Sequence, residues 1–273
     1  MVDTDLFRTR DHVPDFDDYV TLYRERSRHS RATLESRIDV RFGDAPGERL
    51  DLFFPADRTR PAPIHLFIHG GYWRMFDKAE FSFVADTVCA AGGIAAIMNY
   101  DLMPQVRMDT IVGQVRACAS WLTEKAEALG GDATRLTVSG HSAGGHLGCF
   151  LATEDSPVRP EAVLALSGIY DLAPLRQSFL QPDLNLSEDE AACFSPVSLR
   201  YDRSTRLTLM VGETETRPFH EQAGELRQVL RTHGCPVALE TVAGAHHMSI
   251  VAQLGDPGSI PGRALSSMIR RPQ

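Results

Sequence analysis

The chain has few of the residues that staple a small fold, cross a membrane or grip a polyanion. Its 273 residues include five cysteines, Cys89, Cys118, Cys149, Cys193 and Cys235, an odd number at wide spacings. That opposes a disulfide framework, and three of the five fall within apolar helical patterns, as buried thiols do. No run approaches eighteen apolar residues, so a membrane-spanning helix is not expected. The opening stretch MVDTDLFRTRDHVPDFDD is too polar for a signal peptide, which predicts a soluble, cytoplasmic protein. Lysine and arginine total 28 against 36 aspartates and glutamates, a formal charge of -8. Without a dense basic stripe, neither nucleic acid nor an anionic membrane is an expected partner. The basic residues between Arg24 and Arg41 alternate with Glu25, Glu35 and Asp39 and read as a solvated helix face. Asn185-Leu186-Ser187 matches a glycosylation sequon but, without a secretory route, reads as a chance match.

What the chain does have is core. With 43% hydrophobic residues it can bury a substantial interior, and a single domain over 1–273 is the expectation. Short aliphatic and β-branched runs alternate with longer helical patterns, the rhythm of a mostly parallel sheet flanked by helices. Strands are predicted near 38–42, 49–54, 64–68, 94–100, 136–139, 162–167, 207–211 and 237–242. Helices are predicted near 78–91, 109–129, 143–152 and 219–232. In the second of these, Ile111, Val115, Cys118, Leu122 and Ala126 stand at helical spacing, an apolar stripe for the sheet. No internal repeat or interdomain linker interrupts the pattern. Two segments depart from it: a charged N-terminal arm, 1–37, carrying Phe7, Phe16, Tyr19 and Tyr23, and a proline- and leucine-containing stretch, 170–196. Both are candidates for a small cap over a site, with packing as arm and surface loop the plainer alternative.

The most informative motif is Gly140-His141-Ser142-Ala143-Gly144, directly after an apolar run and before an apolar helix that opens on small residues. G-x-S-x-G in that setting places a serine on a sharp strand-to-helix turn, where its hydroxyl is exposed to substrate. A serine hydroxyl is a weak nucleophile at neutral pH, so it needs a base, an acid to orient the base, and donors for an oxyanion. The strand at 64–68 ends in His69-Gly70-Gly71-Tyr72-Trp73, where a glycine pair lets backbone N–H groups face a cavity; Gly71 and Tyr72 are candidate donors, with Ala143. The acid is sought in Val211-Gly212-Glu213-Thr214-Glu215 at the end of the next-to-last strand, with Glu215 preferred to Glu213. Asp171 is an alternative acid that reads better as a cap-loop residue. After the last strand comes Gly244-Ala245-His246-His247-Met248, with His247 the preferred base and His246 the reserve. The order Ser, acid, His is that of α/β-hydrolases. The paired histidines lack carboxylates or cysteines at ligand spacing, so no metal is expected. His141 and His146 read as supporting or packing groups. Trp73, Phe76 and Tyr170 are candidates to bind substrate, with a core role the alternative.

Taken together, the chain resembles the α/β-hydrolase superfamily, specifically its kynurenine formamidase (arylformamidase) branch, close to the hormone-sensitive-lipase-like esterases. The resemblance rests on HGGYW at 69–73 with the preceding ERLDLFFP run, on GHSAGGHL at 140–147, on SGIYDL at 167–172 and on Phe219-His220-Glu221-Gln222 after Glu215. It covers nearly the whole chain. It implies an α/β-hydrolase fold with an eight-stranded, mostly parallel sheet and a small cap, with Ser142 as nucleophile, Glu215 as acid, His247 as base, and Gly71, Tyr72 and Ala143 around the oxyanion. The implied reaction is hydrolysis of an aryl formamide such as N-formylkynurenine, with no cofactor. Two positions depart from the family pattern: Glu215 stands where formamidases often have Asp, and His247-Met248-Ser249 where they tend to show His-Phe-Asp. Carboxylesterase action on short-chain or aryl esters, or on carbamates, is the alternative, and a non-catalytic binding protein on the same fold a remote one. The expected partner is a small-molecule substrate; a homodimer is compatible with such a chain.

Overall fold

The computed structural model describes residues 5–270, so the first four residues of the N-terminal arm lie outside the described residues. Among the described residues, eight strands form one sheet: β1 (Ser36–Arg41), β2 (Arg49–Phe53), β3 (Ala62–Ile68), β4 (Ile94–Met98), β5 (Gly131–His141), β6 (Ala162–Leu166), β7 (Arg206–Gly212) and β8 (Val237–Val242). The order across the sheet is β1-β2-β4-β3-β5-β6-β7-β8. β1 and β2 run antiparallel to their neighbours, and every pairing from β4 through β8 is parallel. All residues of β3, β4 and β6 are buried, as expected for parallel strands covered on both faces.

The flanking helices are α1 (Thr9–His12), α2 (Phe16–Thr33), α3 (Val84–Ala90), α4 (Met108–Leu129), α5 (Ala143–Cys149), α6 (Gln181–Leu184), α7 (Glu188–Cys193), α8 (Arg217–Thr232), α9 (His247–Ala252) and α10 (Ile260–Ile269). The stripe read in α4 is buried in full, and the helix stops where Gly130 adopts a left-handed conformation (φ 75°). Burial of each Ile, Val or Leu of that stripe contributes about 1.5–3 kcal/mol. Apolar residues gather in two clusters, one holding Leu66, Ile111, Leu122 and Leu226, the other Phe67, Val84, Ile250 and Leu265. Alternate residues of β3 divide between the two clusters, as the two-residue period of a strand requires. None of the helices among the described residues is long and apolar enough to cross a membrane.

Several boundaries differ from the sequence expectation for local reasons. β5 begins at Gly131 rather than near 136, because Gly131 already pairs with Ala62; an irregularity follows before regular pairing resumes at Leu136 with Ile64, and Asp132 to Arg135 have no apolar pattern to reveal it. The helix expected over 78–91 is divided: Asp77 and Glu80 form a capping box around the short turn Lys78–Glu80, and α3 begins only at Val84. α5 ends at Cys149 because Phe150 and Leu151 bond back three residues instead of four. The basic stretch after Arg24 is not simply a solvated face. Its first part belongs to α2, where Arg31 pairs with the fully buried Asp51, and Arg26 Nη1 donates to the Ala252 carbonyl at 2.7 Å. Lys78 Nζ completes the buried cluster at 3.2 Å from Asp51.

Two buried histidines, His65 in the middle of the sheet and His146 on α5, make stability depend on pH. His65 on β3 bridges two β5 hydroxyls, Thr137 Oγ1 at 2.8 Å from Nδ1 and Ser139 Oγ at 2.7 Å from Nε2. Full burial pushes its pKa down to about 3, and burial pushes that of His146 down to about 4. Both are neutral in the fold at pH 7, and both have ordinary values in the unfolded chain. Below about pH 6.5 the unfolded chain takes up protons that the fold excludes, so stability falls with falling pH until the folded values are reached. Each imidazole contributes about 1.4 kcal/mol per pH unit, so the two together should lower stability by about 5 kcal/mol between pH 7 and pH 4.5. Urea unfolding across that range, with His65→Gln reducing the slope, is the check; a flat profile would contradict it.

Candidate active site

Five segments that leave the carboxyl ends of parallel strands converge at one edge of the sheet, where open α/β sheets bind their ligands. β5 ends at His141, and Ser142 turns the chain into α5 with φ 55° and ψ -118°, a conformation that non-glycine residues rarely adopt. The flanking glycines are required by contact. A Cβ on Gly140 would stand 2.1 Å from the Gly144 carbonyl oxygen, and one on Gly144 would stand 2.0 Å from the Ile68 carbonyl oxygen on β3. The turn is tied to the sheet by the Ser142 N–H, which donates to Leu166 O at 2.8 Å. Ala143 is the first residue of α5, where backbone N–H groups have no acceptor within the helix.

After β3, the chain runs through Gly71 (φ 110°), Tyr72 (φ 50°) and Trp73 (φ 58°). Arg74 and Met75 donate their N–H groups to Gly71 O at 3.0 and 3.1 Å, while those of Gly71 and Tyr72 enter no backbone hydrogen bond among the described residues. Gly70, Gly71 and Tyr72 line a cavity of about 470 Å³ together with Ser142 and His247. Ala143 is wholly buried beneath it.

The acid and base are brought together by β7 and β8. Glu215 Oε2 lies 2.7 Å from His247 Nδ1, and both side chains are buried. A carboxylate only accepts, so Nδ1 carries the proton and the Nε2 lone pair is left for another partner. The second carboxylate oxygen, Oε1, accepts from Ser167 Oγ at 2.5 Å and from the Gly212 N–H at 2.6 Å. Glu213 goes elsewhere: its Oε2 accepts from the Gly244 N–H at 2.8 Å in the exposed loop. His246 also turns away, capping α9 by accepting from Met248 and Ser249 N–H at 3.2 Å and packing its ring edge-on to Tyr19 at 4.9 Å. Asp171 caps a short turn through the Ala173 N–H at 2.9 Å. Ser142 is buried and lines the same cavity as His247.

His141 and His146 take supporting places. His141 lies 4.6 Å from the His247 ring and donates from Nε2 to the His247 carbonyl at 2.8 Å; burial first, then the neighbouring imidazole, holds its pKa well below the ordinary value. His146 Nδ1 accepts from Trp73 Nε1 at 3.2 Å, and its Nε2 donates to Phe194 O at 2.8 Å.

That contact corrects one expectation. Trp73 and Tyr170 are core side chains, 0% and 1% exposed, and neither lines the cavity; only Phe76 of the three candidate substrate-binding residues does. Consecutive left-handed residues turn Trp73 inward onto His146, and Tyr170 packs its ring against Gly168, where a Cβ would stand 2.4 Å away. The aromatic wall joins Phe76 and Tyr72 to Phe16 and Tyr23 of α2, Phe81 and Phe179. Arg8, Arg10 and Arg74 stand in the same lining, with the Arg8 guanidinium 4.5 Å from the Phe179 ring centre. Both segments that depart from the strand-helix alternation therefore reach the cavity. The arm is fastened by Tyr72 Oη donating to Phe7 O, by Thr216 Oγ1 donating to Leu6 O at 2.7 Å, and by Asp5 accepting the Phe179 N–H at 2.5 Å.

Comparison with known proteins finds relatives in sequence and in fold. The BD-FAE family model matches residues 50–162. Kynurenine formamidase from Danio rerio is 29% identical over 262 residues, 92% of this chain and 88% of its own. A crystal structure from Silicibacter sp. TM1040, provisionally described as a thioesterase, superposes with a TM-score of 0.84 at 27% identity, over 98% of this chain and 99% of the other. The chain has the α/β-hydrolase fold and is similar to kynurenine formamidases and to esterases. An esterase from Pyrobaculum calidifontis, 16% identical, shares the fold of this hydrolase with a TM-score of 0.74 over 97% of this chain and 92% of the other.

Proposed function

We propose that this hydrolase removes the formyl group from an aryl formamide such as N-formylkynurenine, with Ser142 as nucleophile, His247 as base and Glu215 as acid. The observation that carries the reading is the buried 2.7 Å bond from Glu215 to His247, whose ring lines one cavity with Ser142 and an aromatic wall. His247 Nε2 takes the proton of Ser142 Oγ as that oxygen attacks the formyl carbon. Glu215 keeps the imidazole in the productive tautomer and stabilises its charged form. The N–H groups of Gly71, Tyr72 and Ala143 stabilise the tetrahedral oxyanion. As the C–N bond breaks, His247 passes its proton to the departing aryl amine. Water then attacks the formyl-enzyme by the same base, releasing formate and restoring Ser142.

Two kinds of support favour a formamide with a flat aromatic leaving group. The similarity to the Danio rerio enzyme spans most of both chains, and six phenylalanine and tyrosine residues line the cavity. A cavity of about 470 Å³ also suits a short-chain or aryl ester, and the Pyrobaculum calidifontis esterase has the same fold; carboxylesterase action is the second reading. The discriminating measurement is kcat/KM for N-formylkynurenine against that for p-nitrophenyl acetate. The proposal expects the formamide to lead by about tenfold or more, a difference of about 1.4 kcal/mol in transition-state binding. A large preference for the ester would assign the protein to the esterases.

A further inference from the structure

We infer that Ser167, on the loop that leaves β6, is a positioning residue that locks the carboxylate of Glu215 in the plane His247 requires. The inference rests on the reading of Glu215 as the acid. Ser167 is buried and its Oγ donates to Glu215 Oε1 at 2.5 Å, while the Gly212 N–H donates to the same oxygen at 2.6 Å. Both donors sit on one oxygen, so the other, Oε2, is left to His247 Nδ1 at 2.7 Å. A carboxylate held at both ends cannot turn about its Cγ–Cδ bond without breaking a hydrogen bond in a place that water does not reach.

The backbone points the same way. Ser167 has φ 51°, in the left-handed region where glycine is the least strained residue, and its N–H is anchored to Met210 O on β7 at 2.7 Å. The next residue is Gly168, so the chain here already accommodates glycine. A side chain retained at a strained position is explained by the one bond that its hydroxyl makes. The same anchoring brings β6, which pairs with β5 below Ser142, into contact with the loop bearing the acid after β7. Ser167 thus links the two halves of the proposed catalytic group through the sheet itself.

The glycine variant separates hydroxyl from fold. Ser167→Gly removes the hydroxyl and relieves the backbone, whereas Ser167→Ala removes the hydroxyl and keeps the strain. Both should lower kcat about tenfold on N-formylkynurenine or p-nitrophenyl acetate, whichever is turned over, with KM within twofold. Ser167→Gly should melt no lower than wild type. The low-field proton resonance of His247 Nδ1–H should move or broaden in both variants, a change that loss of mere packing would not cause. Wild-type kcat in Ser167→Gly, or a loss expressed in KM alone, would overturn the inference. If Ser167→Ala does not fold, the glycine variant decides by itself. Glu215→Gln run alongside keeps two failures apart: an unaffected Glu215→Gln removes the acid assignment and this inference with it, while a crippled Glu215→Gln beside a fully active Ser167→Gly removes the inference alone.

Discussion

Ser142→Ala is expected to reduce kcat by about 10⁵-fold, with the protein folded and KM little changed. The effect is large because no neighbour can take over. Ser142 is held in a left-handed turn by Gly140 and Gly144, whose backbones stand too close to neighbouring carbonyls to admit a side chain. The other hydroxyls near the base are committed: Ser167 to Glu215, and Ser249 to His246. Residual turnover should come only from the N–H groups that face the cavity and from binding, which together leave some acceleration over water. Alanine tolerates the turn less well than glycine but adds no bulk, so circular dichroism and a melting curve should resemble those of wild type. Steady-state turnover of a formamide and an ester checks this; activity within tenfold of wild type on either would remove Ser142 from the reaction.

Glu215→Gln should cost about 10³- to 10⁴-fold in kcat, while Glu213→Gln should stay within about twofold of wild type. The two glutamates stand two residues apart, and their environments separate them. Glu215 is wholly enclosed and carries bonds from His247, Ser167 and Gly212; Glu213 is exposed and bonds only the Gly244 N–H. An amide at 215 can present its NH₂ to the imidazole, which reverses the donor at Nδ1 and leaves the proton on the nitrogen that should receive it from Ser142. At 213 the same change removes one surface hydrogen bond. The comparison is of kcat at fixed pH for the two purified variants; equal losses, or a larger loss at 213, would contradict the geometry.

Much of this arrangement was legible in the chain because its signals are local. Alternating apolar runs marked all eight strands, and small residues around Ser142 and after Ile68 marked the two turns that only glycine-rich backbone can make. What escaped was non-local. α2 has too few apolar residues for its period to stand out, because it is held partly by ion pairs and carbonyl contacts, such as Arg31 to Asp51 and Arg26 to Ala252. α10 is short, and its start signals are Ser259, whose hydroxyl accepts from the Gly262 N–H at 2.9 Å, and Pro261 in the first turn. Glu213 and Glu215 share a loop, so their distinction depends on where β8 delivers His247. Trp73 looked like a wall of the pocket because it follows Gly71 and Tyr72, yet three successive left-handed residues send it into the core. Ser167 carried a faint signal, a serine before glycine at a strand end, whose meaning depends on a carboxylate 48 residues away.

The central claim is that Ser142 becomes covalently acylated, and trapping tests it most directly. Wild-type protein treated with a fluorophosphonate should gain the mass of one phosphonyl group, mapped to the peptide containing Gly140 to Gly144 and absent from Ser142→Ala. Labelling of Ser167 or Ser249 instead, or a protein that turns over substrate yet takes up no phosphonate, would contradict the account.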